Sequence, residues 1–138
     1  PIVVVGLDVT QEAIMSTPYL EALRDQGGHM GRFIWDVSRY YERFYRSSTK
    51  FDGIPVHDSS AVAYLLDPTL FTTRGGPIRV VTEGIAIGQT IQAPNTRRSP
   101  PNNAWEGRPD HKICIDGDAD RFLELYFDTI VAAAANGA

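Results

Sequence analysis

The stretch GIPVHDSSAVAYLLDPTLF, residues 53–71, places a histidine and an aspartate directly before an apolar run. The run has the length of a short helix and ends at Asp67–Pro68, because the residue before a proline avoids helical geometry. Asp58 is a good N-cap for a helix that begins at Ser59. One interpretation is that Asp58 only caps this helix and His57 lies on the surface. The other is that both side chains point into a site.

Two features favour the site. The preceding residues 51–55, FDGIP, form a stiff loop that aims the start of the helix, and helix starts at the edge of an α/β sheet are where binding sites collect. Tyr41 and Tyr45 lie shortly upstream, one helical turn apart on one face. Each brings a hydroxyl group that needs a partner or water, so together they can line a pocket that stacks a flat ligand. Aromatic residues at this spacing are also typical of a core.

A strand and two helices are predicted upstream. Residues 2–9, IVVVGLDV, form a β-branched run typical of a strand buried on both faces. Ser16 or Thr17 as N-cap, Pro18 in the first turn and Gly27–Gly28 as the stop predict a helix. Residues 30–47 are strongly helical in period. One seam of this helix holds Phe33, Val37, Tyr40 and Phe44, of which we expect Phe33, Tyr40 and Phe44 in the core, and the adjacent seam holds Ile34, Tyr41 and Tyr45.

Downstream the period changes to that of strands. PIRVVTE (77–83) and GIAIGQTI (84–91) predict two strands separated by a turn, and ICIDGD (113–118) predicts a third. Residues 92–112 are rich in Pro and Asn and predict a long loop. A closing helix follows, capped by Asp118 or Asp120. The order β-α-α-α-β-β-β-α indicates an α/β chain, residues 1–138, without a clean internal domain boundary.

Composition narrows the functional class. The 138 residues suit one domain, with 43% hydrophobic and 22% charged residues and a net charge of −4. This balance excludes a basic footprint for nucleic acid or an anionic membrane, and the short Arg97–Arg98 cluster falls in the Pro/Asn-rich loop. No apolar run has membrane length. The single cysteine, Cys114, excludes an internal disulfide, reads as a small buried strand residue, and fits a reducing, cytoplasmic compartment.

Other ionisable residues give weaker signals. Asp8 at the end of the first predicted strand is either a site carboxylate or a turn cap. DGDAD at 116–120 resembles the start of a calcium loop, but such a loop needs Gly at its sixth position and Glu at its twelfth, so we interpret it as helix capping. His29 and His111 read as surface residues.

One competing class is the HD-type metal phosphohydrolases. A His, then a His-Asp pair, then a distant Asp is their metal-ligand order, and His29 with His57 and Asp58 matches its beginning. That fold is all-helical, whereas this chain has at least three convincing strands. The His-Asp pair also precedes a helix here instead of lying within one, which ranks this class second.

Four segments together resemble the nucleoside hydrolases, the inosine–uridine-preferring ribohydrolases. They are VVGLDVTQEAIMS, GIPVHDSSAVAYLLDPTLFTT, RVVTEGIAIGQTI and ICIDGDADRFLELY, in family order and spacing over essentially the whole chain. The block VHD-x-x-AVAYLLDP-x-LF is specific, whereas LDVT alone is weak. Family members are more than twice as long, so the resemblance is to their C-terminal part, and it implies a Rossmann-like α/β fold.

The resemblance also implies roles for the opening residues. His57 matches the family's proton donor to the departing base, and Asp58 matches the aspartate that completes a calcium shell held mainly by an N-terminal D-x-D-x-x-x-D-D cluster. Tyr41 and Tyr45 match aromatic residues that close over the base. The chemistry agrees, since a near-neutral histidine can protonate a purine or pyrimidine nitrogen as it leaves. Calcium takes six to eight oxygens, so one carboxylate is a reasonable share.

This sequence contains neither the aspartate cluster nor the segment whose Asn and Glu grip the ribose, and it opens at full hydrophobicity without an initiator Met. We therefore expect a fragment or one piece of a split protein, inactive and free of Ca²⁺ alone, whose partners are a ribonucleoside and the missing N-terminal half. An exposed edge of its first strand favours a homo-oligomer. The competing class is a non-catalytic module that keeps the fold and only docks against another chain.

Overall fold

A computed structural model describes residues 1–49, 51–93 and 104–137. The first half of the chain contains β1 (Val3–Val5), α1 (Leu7–Thr10), β2 (Ile14–Met15), α2 (Thr17–Gln26), α3 (Gly28–Ser48), β3 (Ile54–Pro55) and α4 (Asp58–Leu66). After a 3₁₀ turn at Pro68–Leu70 come β4 (Phe71–Gly76), β5 (Ile78–Val80), β6 (Thr90–Gln92), β7 (His111–Gly117) and α5 (Ala119–Ala135). The chain is α/β, as predicted.

The described strands form one three-stranded sheet and two short ribbons. The sheet has the order β1-β7-β4, with β1 parallel to β7 and β4 antiparallel to it. One ribbon pairs β2 with β3 and the other pairs β5 with β6, both antiparallel. Cys114 in β7 is 1% exposed, which confirms it as a small buried strand residue, and this burial raises the pKa of its thiol.

The first predicted strand was too long. Only Val3–Val5 is extended, and Leu7–Thr10 turns into a short helix in which the amides of Val9 and Thr10 both donate to the Gly6 carbonyl. Asp8 consequently lies in the first helical turn and does not end a strand. The prediction of burial on both faces was also wrong, because Val3 is 39% exposed and β1 pairs with β7 alone among the described strands.

Downstream, the sequence missed β4 and placed one strand incorrectly. β4 begins directly after the 3₁₀ turn and pairs with β7 along its length. Of the predicted strand at 84–91, only the end enters β6; Ile85 and Ile87 lie in the preceding turn and are exposed. Within the predicted 92–112 loop, residues 94–103, with Arg97 and Arg98, lie outside the described residues.

Two predicted helices have the expected ends. The Ser16 side chain accepts a hydrogen bond from the amide of Tyr19 and caps α2, whose C-cap residue is Gly27. Asp118 caps α5 by accepting from the amide of Arg121, so DGDAD is a helix cap, as interpreted. Two core clusters lie between the helices and the ribbon of β2 and β3, one around Ala13, Ala63, Leu70 and Phe122 and the other around Met15, Leu20 and Ile54.

The long helix α3 turns a different face to the core than its apolar pattern predicts. Phe33, Tyr40 and Phe44, expected in the core, are all more than half exposed. The inward face carries Gly31 and Glu42, which are buried, and Trp35. At Gly31 an added Cβ would lie 2.0 Å from the Leu23 carbonyl oxygen, so glycine permits the close approach of α2.

Polar and cationic groups complete this inward face. The guanidinium groups of Arg39 and Arg24 lie over the Trp35 ring, 3.3 Å and 4.7 Å from its centroid. Glu42, 5% exposed, pairs with Arg39 at 2.5 Å and also accepts a hydrogen bond from Thr17. Buried charge is stable only when paired, and these partners allow a polar stripe to face α2.

No helix in the described ranges is both long enough and apolar enough to cross a membrane.

Candidate functional site

The ribbon of β2 and β3 carries the chain to His57. Met15 pairs with Ile54 and Ile14 with Pro55, and the amide of Val56 donates to the Ala13 carbonyl at 2.9 Å. Gly53 lies directly before β3 and has a φ of +150°. A Cβ at this position would lie 2.5 Å from the Met15 carbonyl oxygen. A side chain at this position would push the two segments apart. The ribbon therefore sets the position of the residues that follow it.

The imidazole ring of His57 is held from two sides. Its Nδ1 lies 2.8 Å from the Thr10 hydroxyl at the end of α1, and its Nε2 lies 3.4 Å from the Tyr45 hydroxyl on α3. Thr10 is 4% exposed, whereas His57 is half-buried. The ring is thus oriented by one buried contact and one contact nearer the surface.

Thr10 is the site residue that the sequence reasoning missed. It belongs to the segment LDVT, which carries the family resemblance only weakly, and it lies 47 positions before His57. No local periodicity connects two residues so far apart. The available signal was a hydroxyl residue directly after the predicted strand 2–9, at the edge of the sheet where sites collect.

Asp58 is the first residue of α4 and not a cap of a helix starting at Ser59. His57 occupies the N-cap position, and no side chain there caps the helix. The Asp58 carboxylate is exposed, and it forms no hydrogen bond or ion pair with any other part of the chain that the structure describes. Its location in the first turn is favourable by itself, since the N-terminal end of a helix attracts negative charge.

A groove of about 520 Å³ opens beside these two residues. One wall comes from α3, with Phe33, Val37 and Tyr41, and the polar end is formed by His57 and Asp58. Tyr126 of α5 also lines it, and burial raises the pKa of this phenol, which keeps its hydroxyl neutral. A groove with aromatic and aliphatic walls and a few polar groups at one end suits a flat, partly polar ligand.

The rings of the two predicted tyrosines lie side by side on α3. The rings of Tyr41 and Tyr45 stack with their centroids 6.2 Å apart and their planes 30° from parallel. Tyr41 is more than half exposed and lines the groove, whereas Tyr45 contacts His57. Phe51 packs edge-on against Tyr45 at 6.0 Å and holds its ring from the other side.

The described residues do not form a calcium site on their own. Within them, no group of three or more His, Cys, Asp or Glu side chains is placed to hold a metal ion. Asp58 is a single free carboxylate, and calcium takes six to eight oxygen ligands. Asp8, the other candidate carboxylate near the first strand, lines a different cavity.

The HD-type arrangement is not assembled either. His29 lies at the start of α3, and Tyr45, which contacts His57, lies near the end of the same helix. A rise of 1.5 Å per residue separates these two positions by about 24 Å along the axis. His29 therefore cannot share a metal ion with His57 and Asp58.

Comparison with known proteins places this geometry in a family. The family model for inosine-uridine preferring nucleoside hydrolase matches residues 1–124. The inosine-uridine preferring nucleoside hydrolase of Crithidia fasciculata is 29% identical over 133 residues, which cover 94% of this chain and 39% of that protein.

Solved structures agree with the sequence match. A plant nucleoside hydrolase superposes with a TM-score of 0.87 at 28% identity, covering 95% of this chain and 41% of that one. The purine-preferring ribonucleoside hydrolase from Gardnerella vaginalis gives a TM-score of 0.76 at 29% identity, covering 96% and 40%. The chain thus spans about 40% of the length of these relatives. The chain belongs to the inosine-uridine preferring nucleoside hydrolase family, and its fold is the nucleoside hydrolase fold.

Proposed function

We propose that this chain supplies the leaving-group side of the active site of a nucleoside N-ribohydrolase, which converts purine or pyrimidine ribonucleosides and water to ribose and the free base. Family membership supports the reaction class. The relatives' names span both base types, since one is inosine-uridine preferring and another purine-preferring.

In the proposed reaction, the C1′–N bond breaks and its electron pair goes to the base. His57, in its protonated imidazolium form, gives the proton on Nε2 to a nitrogen of the departing base and becomes a neutral imidazole. A water molecule adds to C1′ and loses a proton to solvent, and a proton from solvent restores the imidazolium. Protonation by a positioned histidine lowers the barrier because the leaving base would otherwise depart as an anion.

The observation that carries this proposal is the placement of His57. Nδ1 is engaged by the buried Thr10 hydroxyl at 2.8 Å, whereas Nε2 has the longer contact of 3.4 Å with the Tyr45 hydroxyl and is the nitrogen that a ligand can engage. The groove wall with Tyr41 gives a base a surface on which to stack.

Asp58 has a second proposed role, as one ligand of a calcium ion. Its free carboxylate beside His57 supports this role. The remaining ligands would have to come from outside the described residues.

The test compares two substrates in the full protein whose gene encodes this chain. His57→Ala should lower kcat/KM for inosine and uridine by roughly 10²–10⁴-fold, the contribution typical of a general acid. The same variant should affect p-nitrophenyl riboside much less, because its aglycone leaves readily without a proton.

Equal losses on both substrates would remove His57 from the leaving-group role. Absence of turnover in the unaltered full protein would favour the non-catalytic docking module instead. Testing both substrates with the same enzyme preparation separates a chemical role from a general loss of folding.

A further inference from the structure

The Thr10 hydroxyl is a buried polar group beside the ring of His57. Its residue is 4% exposed and ends α1, where its amide donates to the Gly6 carbonyl at 3.0 Å. The neighbouring Val9 is also buried and anchors this turn. A buried hydroxyl on an anchored turn has little freedom to follow the ring of His57, so the ring must adapt to the hydroxyl.

Three hydrogen bonds involve the Thr10 hydroxyl or the His57 ring. Only one tautomer of a neutral imidazole allows all three. The Thr10 hydroxyl can donate to the Leu7 carbonyl at 3.5 Å, and it lies 2.8 Å from Nδ1 of His57. If the hydroxyl hydrogen points to Leu7, Nδ1 must carry a hydrogen and donate to Thr10. Nε2 then has a free lone pair and accepts from the Tyr45 hydroxyl, 3.4 Å away. The opposite tautomer would keep the bonds to Thr10 and Tyr45 with their directions reversed and would lose the Leu7 contact, so the preference for Nδ1–H rests on that one long contact.

The Thr10 hydroxyl lies closer to His57 than to Leu7. An O–H···O bond is normally 2.5–3.0 Å long, so the contact to Leu7 is weak and the one to His57 is well formed. A threonine that served only its own turn would be expected to show the reverse.

We propose that Thr10 is a positioning residue for His57. Its hydroxyl engages Nδ1, holds the neutral ring as the Nδ1–H tautomer, and directs Nε2 toward the Tyr45 hydroxyl. This inference rests on the proposed role of His57 for its catalytic consequence, although the orientation itself does not. The hydrogen bond to one imidazole nitrogen decides what the other nitrogen can do.

The kinetic test uses Thr10→Val, which keeps the shape and removes the hydroxyl, and Thr10→Ser, which keeps the hydroxyl. In the full protein, Thr10→Val should lower kcat/KM for inosine and uridine by about 10–100-fold, by analogy with the loss seen when a partner that orients a metal-bound histidine is removed. Its effect on p-nitrophenyl riboside should be small, and Thr10→Ser should restore most of the activity on natural nucleosides.

Ser60→Ala is the matched control. Ser60 is 2% exposed, and its hydroxyl donates to the Val56 carbonyl at 2.9 Å, whereas its backbone amide, which Ser60→Ala keeps, donates to the His57 carbonyl at 3.2 Å. Ser60→Ala removes a buried hydroxyl that is not bonded to the His57 ring. It should therefore leave the ratio of activity on inosine to activity on p-nitrophenyl riboside unchanged. The same ratio change in Ser60→Ala and Thr10→Val would overturn the proposal.

A double variant separates positioning from general destabilisation. In the His57→Ala background, Thr10→Val should cause no further loss on inosine, because residues that act as a unit are not additive. An undiminished loss in that background would mean that Thr10 acts independently of His57, which would contradict the proposal.

The tautomer of His57 can be measured independently of catalysis. Nitrogen-15 spectra of the full protein with labelled histidine, without substrate or metal and at mildly alkaline pH, report the tautomer of the neutral ring, and His57→Ala assigns the signal. We expect the Nδ1–H form in the unaltered protein and a shift toward Nε2–H in Thr10→Val. An identical tautomer in both would refute the positioning role even if His57 proves to be the general acid. The expected shift without any kinetic effect of His57→Ala would instead refute only the proposed function.

Discussion

Asp58 is a free carboxylate beside the histidine that contacts both Thr10 and Tyr45, and its proposed metal role can be separated from its helix role. Asp58→Asn in the full protein should lower calcium affinity and kcat together, because one anionic ligand is lost. The cost to folding should stay within about 1 kcal/mol, the size of a helix-dipole interaction. Calorimetric calcium titration and thermal unfolding measure the two effects.

Asp120→Asn is the control for that substitution. Asp120 is likewise an exposed acidic residue in the first turn of a helix, α5, and does not line the groove. Asp120→Asn should therefore change the stability slightly and leave the calcium affinity unchanged. A calcium titration of Asp58→Asn that matches the unaltered protein would leave Asp58 with no metal role.

Tyr45 contributes a hydroxyl 3.4 Å from Nε2 of His57 and a ring packed against Phe51 and Tyr41. Tyr45→Phe removes only the hydroxyl, so the melting temperature should change little while KM rises or kcat falls on natural nucleosides. The same substitution at Tyr41 should behave alike, because that ring lines the groove and is more than half exposed.

Tyr19→Phe gives the opposite pattern. The Tyr19 hydroxyl donates to the Leu123 carbonyl at 2.7 Å, and burial is the main cause that raises the pKa of this phenol. Its loss should cost about 1 kcal/mol of unfolding free energy, as for a typical buried hydrogen bond, with normal kinetics. If Tyr45→Phe instead loses stability and keeps normal kinetics, Tyr45 is a core residue.

At the scale of elements, the placement of α3 against α2 depends on buried Glu42. Its carboxylate pairs with Arg39 and Arg46 and accepts from Thr17 in the first turn of α2. Glu42→Ala should lower the unfolding free energy by about 3 kcal/mol, the low end for unpairing a buried ion pair, since Arg39 keeps some contact with solvent. Denaturant titration measures the change.

Asp25→Ala serves as the comparison. Its ion pair with Arg24 is exposed, and exposed pairs contribute less than about 1 kcal/mol. Equal losses for Asp25→Ala and Glu42→Ala would show that the buried network is not what holds α3 in place.

For the whole molecule, the 138-residue chain by itself should not bind calcium more tightly than roughly millimolar, because Asp58 supplies one carboxylate where six or more oxygens are needed. It should also fail to hydrolyse inosine or uridine. Calcium titration and a turnover assay of the purified chain check both points. Micromolar calcium binding or robust turnover by this chain would contradict the assignment of missing ligands.

The same purified chain should self-associate. β1 pairs with only β7 among the described strands, and Ile2 and Val3 are 58% and 39% exposed, so the edge offers unpaired backbone groups beside apolar side chains. Light scattering measures the mass, and a monomer at high concentration would show that the edge is not adhesive.

Much of the molecule follows from local sequence. The N-terminal ends of α2 and α5 are set by the cap residues Ser16 and Asp118, each of which accepts a hydrogen bond from an amide three residues later. These ends can therefore be predicted without tertiary contacts. The resemblance to the family and the fold likewise follows from four sequence segments, of which the block around His57 and Asp58 is the most specific, and none of them requires knowledge of tertiary contacts.

Tertiary structure decided what lies far apart in sequence. The partnership of Thr10 with His57 arises only because β2 and β3 pair, and short ribbons of two residues leave no periodic signal. The face that α3 buries was predicted wrongly because periodicity favours the aromatic seam, whereas Gly31 permits close packing. Glu42 is buried on this face because it pairs with Arg39 and accepts a hydrogen bond from Thr17. Hydrophobic periodicity indicates which side chains are buried on average. The face of a helix that is actually buried depends on the shape and the hydrogen-bonding groups of the elements that pack against it.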